Sequence, residues 1–379
     1  MTAGIRKVAR FAAVGDIFLG DQPACLGFGI RSLARQNGYD SFFAGVRERL
    51  SRYDLVVGNL ESVIASRETV RKSQRDGLVD RADPEAAAAL RYVGIGLVGL
   101  ANNHIFEYGQ IGLDETVRHL DDCGIQWAGK KNYKLVEISG NTVAFLSWSL
   151  LPDTYWPGSN PAEHYNVSST IEPILDDISR VRDNVDYVVL LLHWGNEFIS
   201  IPSKRQQFLG RSLIDAGVDV ILGHHPHVLQ PIERYKRGLI VYSLGNFIMD
   251  SWGESSRSSI IIEIVFDREI RFNVIPIEIT KYVFNIFLVK DCYKYKKILS
   301  FVRNQMPLDD CVYLQEVFRL RMHYRISLVI HFLKNFRKFG AKNLLWVLSW
   351  GLKRILFLFK IIFHERKNPD VVYKGPMSR

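Results

Sequence analysis

The sequence predicts an α/β fold for most of the chain, followed by a basic helical tail. Three observations carry this expectation. Residues 1–280 repeat one pattern, in which a short unalternated run of Val, Ile, Leu and Ala breaks into small and polar residues. Helix-period segments separate those runs, as in layered α/β proteins. The charge also divides. Residues 281–379 hold 20 Lys and Arg against 6 Asp and Glu, a net +14, whereas residues 1–280 hold 29 against 34, a net −5. We therefore expect two regions, 1–280 and 281–379. The 47% hydrophobic and 23% charged composition excludes a disordered chain.

The strands are expected in order. RFAAV leads into Gly15-Asp16, DLVV into Gly58-Asn59-Leu60-Glu61, and GIGLVGLA into Asn102-Asn103-His104. DYVVLLL leads into His193-Trp194-Gly195, VDVIL into Gly223-His224-His225-Pro226-His227, and GLIVYSL into Gly245-Asn246. Such runs read as strands buried on both faces. Helices are expected over Phe42–Tyr53, Pro84–Tyr92, Leu113–Cys123, Glu172–Arg182 and Lys204–Ala216. Proline suits the first turn of the second, and Gly124 and Gly217 stop the third and fifth. Ser258–Phe266 and Ile270–Ile279 read as paired strands that close the sheet. From Arg325 to Lys367 there is no proline, and Lys338, Lys342, Ser349, Lys353, Lys360 and Lys367 fall on one helical band.

Cys25, Cys123, Cys292 and Cys311 form no CxxC pair, so neither a disulfide frame nor a zinc knuckle is expected. That usage fits a reducing compartment. The opening MTAGIRKVARFAAVGD lacks the apolar core and cleavage site of a secretory signal, which predicts a cytoplasmic protein.

The polar strand ends carry metal-ligand residue types: Asp16, Asn59, Glu61, Asn103, His193, His225 and His227. Ligands in open α/β sheets bind at the carboxyl ends of strands, where loops bring distant residues together. A mixed set of carboxylate, amide and imidazole suits a divalent Mn, Fe or Zn, one or two ions. Two such ions clamp a phosphoester and activate water. Taken singly, most of these residues have a plain alternative. Gly15-Asp16 reads equally as a turn, Asn59 as a helix cap, and Asn246 as a turn residue. His193 alone reads as structural. The run His224-His225-Pro226-His227, three histidines in four positions, is the specific one.

The ordered set GDIFLG, GNLE, ANNH, HWGNEF, GHHPHVLQPIE and YSLGNF, over roughly residues 9–250, resembles the CapA family of bacterial capsule and poly-γ-glutamate synthesis proteins. That family lies in the calcineurin-like metallophosphatase superfamily. The resemblance implies a four-layer α/β/β/α sandwich with a metal centre at the sheet edge. It implies metal-binding roles for Asp16, Asn59, Glu61, Asn103, His193, His225 and His227. It implies a phosphate-facing catalytic role for His104, beside Asn103. Glu197 matches the pattern without an assigned role, its other reading being an exposed surface residue; His224 and Asn246 are further possible site residues. The superfamily's DxH start is here Asp16-Ile17-Phe18, and its bridging aspartate falls at neutral Asn59, so Glu61 is the candidate for the missing charge. The family's usual aspartate after ANNH is here Glu107.

Other residues invite a role. His119, His164, His323, His331 and His364 lack companions and read as structural or surface residues. Arg67, Arg71, Lys72, Arg75 and Arg81 read as a solvated loop or as contacts for an anionic substrate. The aromatic loop holding Tyr155 and Trp156 lines a cleft or packs over its rim. Leu344–Phe363 is long enough to span a bilayer, but Lys353 and Arg354 fall mid-segment; an interfacial helix fits better, the plain alternative being a helix packed on the body with snorkelling lysines.

The expected function is therefore a metal-dependent hydrolase, phosphoesterase-like, acting in capsule, poly-γ-glutamate or exopolysaccharide biosynthesis. The alternative is a non-catalytic, membrane-associated accessory subunit of a polymer synthesis or export complex. Expected partners are an anionic polymer or phosphoester substrate, an anionic membrane surface met by the tail, and capsule-synthesis proteins. No nucleic-acid motif accompanies the basic charge, so nucleic acid is not expected. The expected location is the cytoplasm, peripheral on the inner face of the cell membrane.

Overall fold

A computed structural model describes residues 8–73, 80–151, 160–267, 269–303 and 310–340, with Asn343, Leu345, Val347 and Leu348. The chain begins with β1 (Ala9–Ile17), α1 (Ile30–Asn37), α2 (Ala44–Leu50), β2 (Val56–Leu60) and β3 (Val63–Ile64). There follow α3 (Arg67–Lys72), β4 (Arg81–Ala82), α4 (Ala86–Val93), β5 (Leu97–Gly99), α5 (Gly109–Asp122) and β6 (Gln126–Ala128). The second half opens with β7 (Lys134–Ile138), β8 (Asn141–Ser149), α6 (Glu172–Val181), β9 (Tyr187–His193) and α7 (Lys204–Asp215). It continues through β10 (Val220–His224), β11 (Ile232–Tyr235), β12 (Gly238–Val241), β13 (Asn246–Ile248) and α8 (Glu254–Arg257). Last come β14 (Ser258–Phe266), β15 (Ile270–Ile279), β16 (Ile286–Leu288), α9 (Cys292–Arg303) and α10 (Asp310–Asn335).

Two sheets form. The first runs β16-β15-β14-β1-β2-β5-β6, with β13 also pairing with β1; the second runs β11-β12-β10-β9-β8-β7. In the first, β1, β2, β5 and β6 are parallel, and in the second β8, β9, β10 and β12 are. Alternate residues of each parallel strand face opposite layers. Phe11 and Ala13 of β1 join Phe145, Val189, Leu191, Val220 and Leu222 between the sheets. Ala12 and Val14 face Ile30, Phe43, Leu90 and Leu113 of the helical layer outside the first sheet. Leu190 and Leu192 of β9 pack on Ile174 and Ile178 of α6 and Leu213 of α7 outside the second. The result is the expected four-layer α/β/β/α sandwich, and it explains why the strand runs do not alternate.

Several details differ from the sequence-based expectation. The helix expected from Phe42 starts with a 3₁₀ turn, Tyr39–Phe43, before α2. Of the basic stretch after GNLE, Arg67, Arg71 and Lys72 are solvent-exposed as expected but lie on helix α3 rather than in a loop. Ser66 caps α3 through the Thr69 amide, and Arg81 is buried, donating to Ala65 O at 2.6 Å and Asp83 Oδ1 at 2.8 Å. A guanidinium so engaged serves packing. Arg75 and the aromatic loop holding Tyr155 and Trp156 lie outside the described residues.

Past residue 280, the first described elements are tied to the body. Ile286–Leu288 extends the first sheet, and Ile298 and Val302 of α9 enter the core between the sheets. Apart from Leu345, Val347 and Leu348, the segment 344–363 lies outside the described residues, as does His364. No helix among the described residues is long and apolar enough to cross a membrane.

Candidate metal centre

The parallel register brings the polar strand ends to one edge of the sandwich. Asp16 at the end of β1 pairs with Asn59 of β2 on one side and Asn246 of β13 on the other. In the second sheet, His193 ending β9 lies beside His224 ending β10. Close strand approach at this edge demands glycine. A Cβ on Gly15 would lie 1.9 Å from Gly245 O, and one on Gly223 would lie 2.0 Å from Tyr242 O. After β10 the chain turns sharply, with His225 at φ 93° and His227 at φ 56°. These are left-handed conformations that a non-glycine residue holds only at a cost, as at functional sites.

Asp16 is the anchor. It is fully buried and accepts from the His225 amide at 3.0 Å and from Asn59 Nδ2 at 2.9 Å, with His224 Nδ1 at 3.0 Å. Asn59 in turn accepts from Asn102 Nδ2 at 3.2 Å. His193 Nε2 lies 2.7 Å from Asn103 Oδ1, and His227 Nδ1 lies 3.0 Å from Asn246 Oδ1. Asn246 is buried and positions His227, beyond the turn role its sequence also allowed.

Glu61 stands apart. It is fully buried, and neither carboxylate oxygen has a hydrogen-bond partner. His227 Nε2 and His193 Nε2 approach Glu61 Oε1 only to 3.5 Å and 3.6 Å. The ligand atoms of Glu61, His193 and His225 lie within 4.8 Å of one another, as do those of Asp16, Glu61 and His227. Both groups share Glu61. Exposed Glu197 closes a third such group with His225 and His227. Nε2 of His224 and Nδ1 of His225 are buried without partners as well.

The electrostatics agree with a cation site. At Asp16 burial raises the pKa, but hydrogen bonds to His224 and His227 prevail and hold it well below the usual carboxylate range. Burial lifts Glu61 to about 8, against the pull of the His227 charge. Burial lowers His225 to about 4 and, with the neighbouring His225 charge, takes His193 well below its ordinary value. His227 is the exception: burial disfavours its proton, but the Glu61 charge and the Asp16 hydrogen bond raise it to about 10. A dication would displace the protons held at His227 and Glu61. Buried, unpartnered carboxylate and imidazole atoms converging on one point are the donor set a divalent ion needs.

A second group lies beside the first. His104 Nδ1 sits 2.6 Å from Glu107 Oε1, and Asp80 comes within the same 4.8 Å grouping. Asn102 Oδ1 accepts from the His104 and Ile105 amides, so the turn that presents His104 is locked from within. Sequence reasoning noted Glu107 only as a variation and missed Asp80 altogether. The spacing His104-x-x-Glu107 was the available signal for the first.

The rim comes partly from the basic region. Tyr324 of α10 stacks on Phe198 at 3.7 Å, and Phe198 lies 5.8 Å from the His227 ring. Arg321 donates to Asn196 Oδ1 at 3.1 Å, and Trp252 Nε1 donates to Ser327 Oγ at 3.4 Å.

Residues 10–251 match the family described as "Bacterial capsule synthesis protein PGA_cap". The chain is 31% identical to the capsule biosynthesis protein CapA of Bacillus anthracis over 66% of its own length and 62% of that protein's. It therefore spans less than two thirds of that relative. It is 30% identical to the PGA biosynthesis protein CapA of Bacillus subtilis, over 70% of each chain. Among solved structures, the NAD nucleotidase of Haemophilus influenzae superposes with a TM-score of 0.45 and 12% identity, over 85% of this chain and 67% of that one. With the strand-end motifs in their order and the match covering most of the sandwich, this chain belongs to the bacterial capsule synthesis protein PGA_cap family.

Proposed function

We propose that this chain is a metal-dependent hydrolase of phosphoesters that serves the making of an anionic capsule polymer of the poly-γ-glutamate kind. The observation that carries the reading is Glu61, a fully buried carboxylate without a hydrogen-bond donor, facing His193, His225 and His227. Asp16, Asn59, Glu61, Asn103, His193, His225 and His227 would hold one or two ions of Mn, Fe or Zn, with His224 and Asn246 orienting Asp16 and His227. Bound there, the ion supplies Lewis-acid activation of water and of the phosphoryl oxygen.

The chain's own residues do the rest. Glu107 lies 2.6 Å from His104 Nδ1 and fixes the ring; as imidazolium, His104 would keep its Nδ1 proton on Glu107, pass its Nε2 proton to the leaving oxygen and end as neutral imidazole. Asn103 holds His193 in place. Support for an anionic partner comes from the +14 charge of residues 281–379, which also favours a peripheral position on the inner membrane face beside capsule-synthesis proteins.

The test is turnover of bis(p-nitrophenyl) phosphate by metal-loaded wild type and His104→Ala. The reading expects kcat to fall roughly 10²- to 10⁴-fold with metal content unchanged. Equal turnover in both would overturn the catalytic role and favour a non-catalytic accessory subunit.

A further inference from the structure

Helix α10 lies wholly beyond residue 251, where the family match ends, and its two sides have different surroundings. The inner side is fixed to the body. His331 is buried, with Nε2 3.0 Å from Ala24 O and its ring stacked on Trp252 at 4.5 Å. Tyr324 and Arg321 hold the loop that carries Phe198 and Asn196 at the rim of the metal centre.

The outer side is apolar, and no described residue covers it. Phe318, Ile326, Val329, Ile330 and Leu333 are 51%, 53%, 36%, 45% and 68% exposed, and Phe336, in the 3₁₀ turn just past the helix, is 42% exposed. At 3.6 residues per turn they fall within about a third of the helix circumference and so form one stripe. Elsewhere exposed apolar side chains are scattered, such as Tyr92 and Phe208, and need no explanation. A contiguous stripe marks a contact surface.

Charge selects the occupant. Residues 310–338 hold six basic residues (Arg319, Arg321, Arg325, Lys334, Arg337 and Lys338) against Asp310 and Glu316. Lys334 and Arg337 are exposed beside the stripe, whereas Arg319 is paired with Glu316 and Lys338 lies over the Phe28 and Tyr282 rings of the body. An apolar face edged by cations suits an anionic bilayer, where the side chains enter the headgroup boundary and the cations meet lipid phosphates. A second copy would set like charges against each other.

We infer that the outer face of α10 docks on anionic lipid headgroups, and that the metal centre works on substrate presented at that surface. The second half rests on the hydrolase reading. A helix is about 10–12 Å across with its side chains, so docking would hold the Phe198 rim roughly that far from the headgroups.

The experiment is co-sedimentation of the purified full chain with phosphatidylglycerol or phosphatidylcholine vesicles, for wild type, Ile326→Glu/Ile330→Glu and Lys334→Glu/Arg337→Glu. Wild type should bind phosphatidylglycerol vesicles, more weakly with added salt, and prefer them to phosphatidylcholine. The isoleucine variant should lose about a hundredfold in partitioning, with its melting temperature and metal content unchanged. The charge-reversed variant should lose the lipid preference. Vesicle binding unaltered by the isoleucine changes would overturn the inference. So would a wild-type dimer, seen by light scattering, that ignores vesicles and is broken by those changes. Turnover measured on the same preparations separates the two readings, because loss of vesicle binding leaves it intact and absence of turnover leaves the vesicle result standing.

Discussion

A carboxylate buried without a donor, as at Glu61, persists only if a cation or a proton reaches it, because desolvating an unpaired charge costs several kcal/mol. Glu61→Gln should therefore lower metal affinity by more than about a hundredfold, beyond the loss typical of an orienting residue. The metal-free variant should melt above the metal-free wild type; a lower melting temperature would mean that the His227 contact at 3.5 Å already compensates the Glu61 charge. Asp250 gives a second test away from the centre. Burial, reinforced by the Asp21 charge, raises its pKa well above 3.8, and Oδ1 has no partner. An acid raised on folding costs stability as pH climbs from its unfolded value towards its folded one, and the cost stays at higher pH. Asp250→Asn should stabilise by about 1–3 kcal/mol at neutral pH and by little below the unfolded value of 3.8. Melting curves of both proteins across that range check the sign. Asp16, His193, His225 and His227 could be read from sequence because each interrupts an apolar run. The partnership of Asp80 with His104 could not, because a separate strand brings it there. Nor could the burial of His331, which depends on where a later helix settles.

At the scale of elements, strand ends were legible and helix starts less so. The apolar runs of β1, β2, β9 and β10 end within a residue or two of the ligand-type residues, since a strand buried on both faces must stop where polar groups begin. Helix α1 escaped notice because it is short, with no side-chain cap at Gly29, and so leaves only a weak local signal. α3 was masked by its basic residues, although Ser66 is a good N-cap. Contact between β1 and β13 depends on glycine. Gly15→Ala would press a methyl group against Gly245 O and should destabilise by about 3 kcal/mol or more, read as a fall in the urea midpoint. An unchanged midpoint would mean that the two strands separate more easily than their register implies. For α10 the sequence showed a basic, proline-free stretch, but not that its inner face reaches the metal centre. That contact joins residues far apart in the chain, such as Arg321 and Asn196.

For the whole molecule, the two sheets explain why seven ligand-type residues from distant segments meet. Each sheet ends its parallel strands at the same edge, and the layer between them, with Phe11, Phe145 and Leu222, fixes one sheet against the other. The motif order revealed this much in advance, because each motif follows its own strand. What the sequence left open was the role of the basic region, whose packing rests on scattered aromatic contacts rather than a periodic pattern. The most direct measurement is the metal content of the purified protein beside His225→Ala/His227→Ala, with turnover of bis(p-nitrophenyl) phosphate measured on both. Near-stoichiometric Mn, Fe or Zn in the wild type, lost together with turnover in the variant, is the predicted result. A folded wild type that binds none of these ions when they are supplied, or a variant that keeps both metal and turnover, would contradict it.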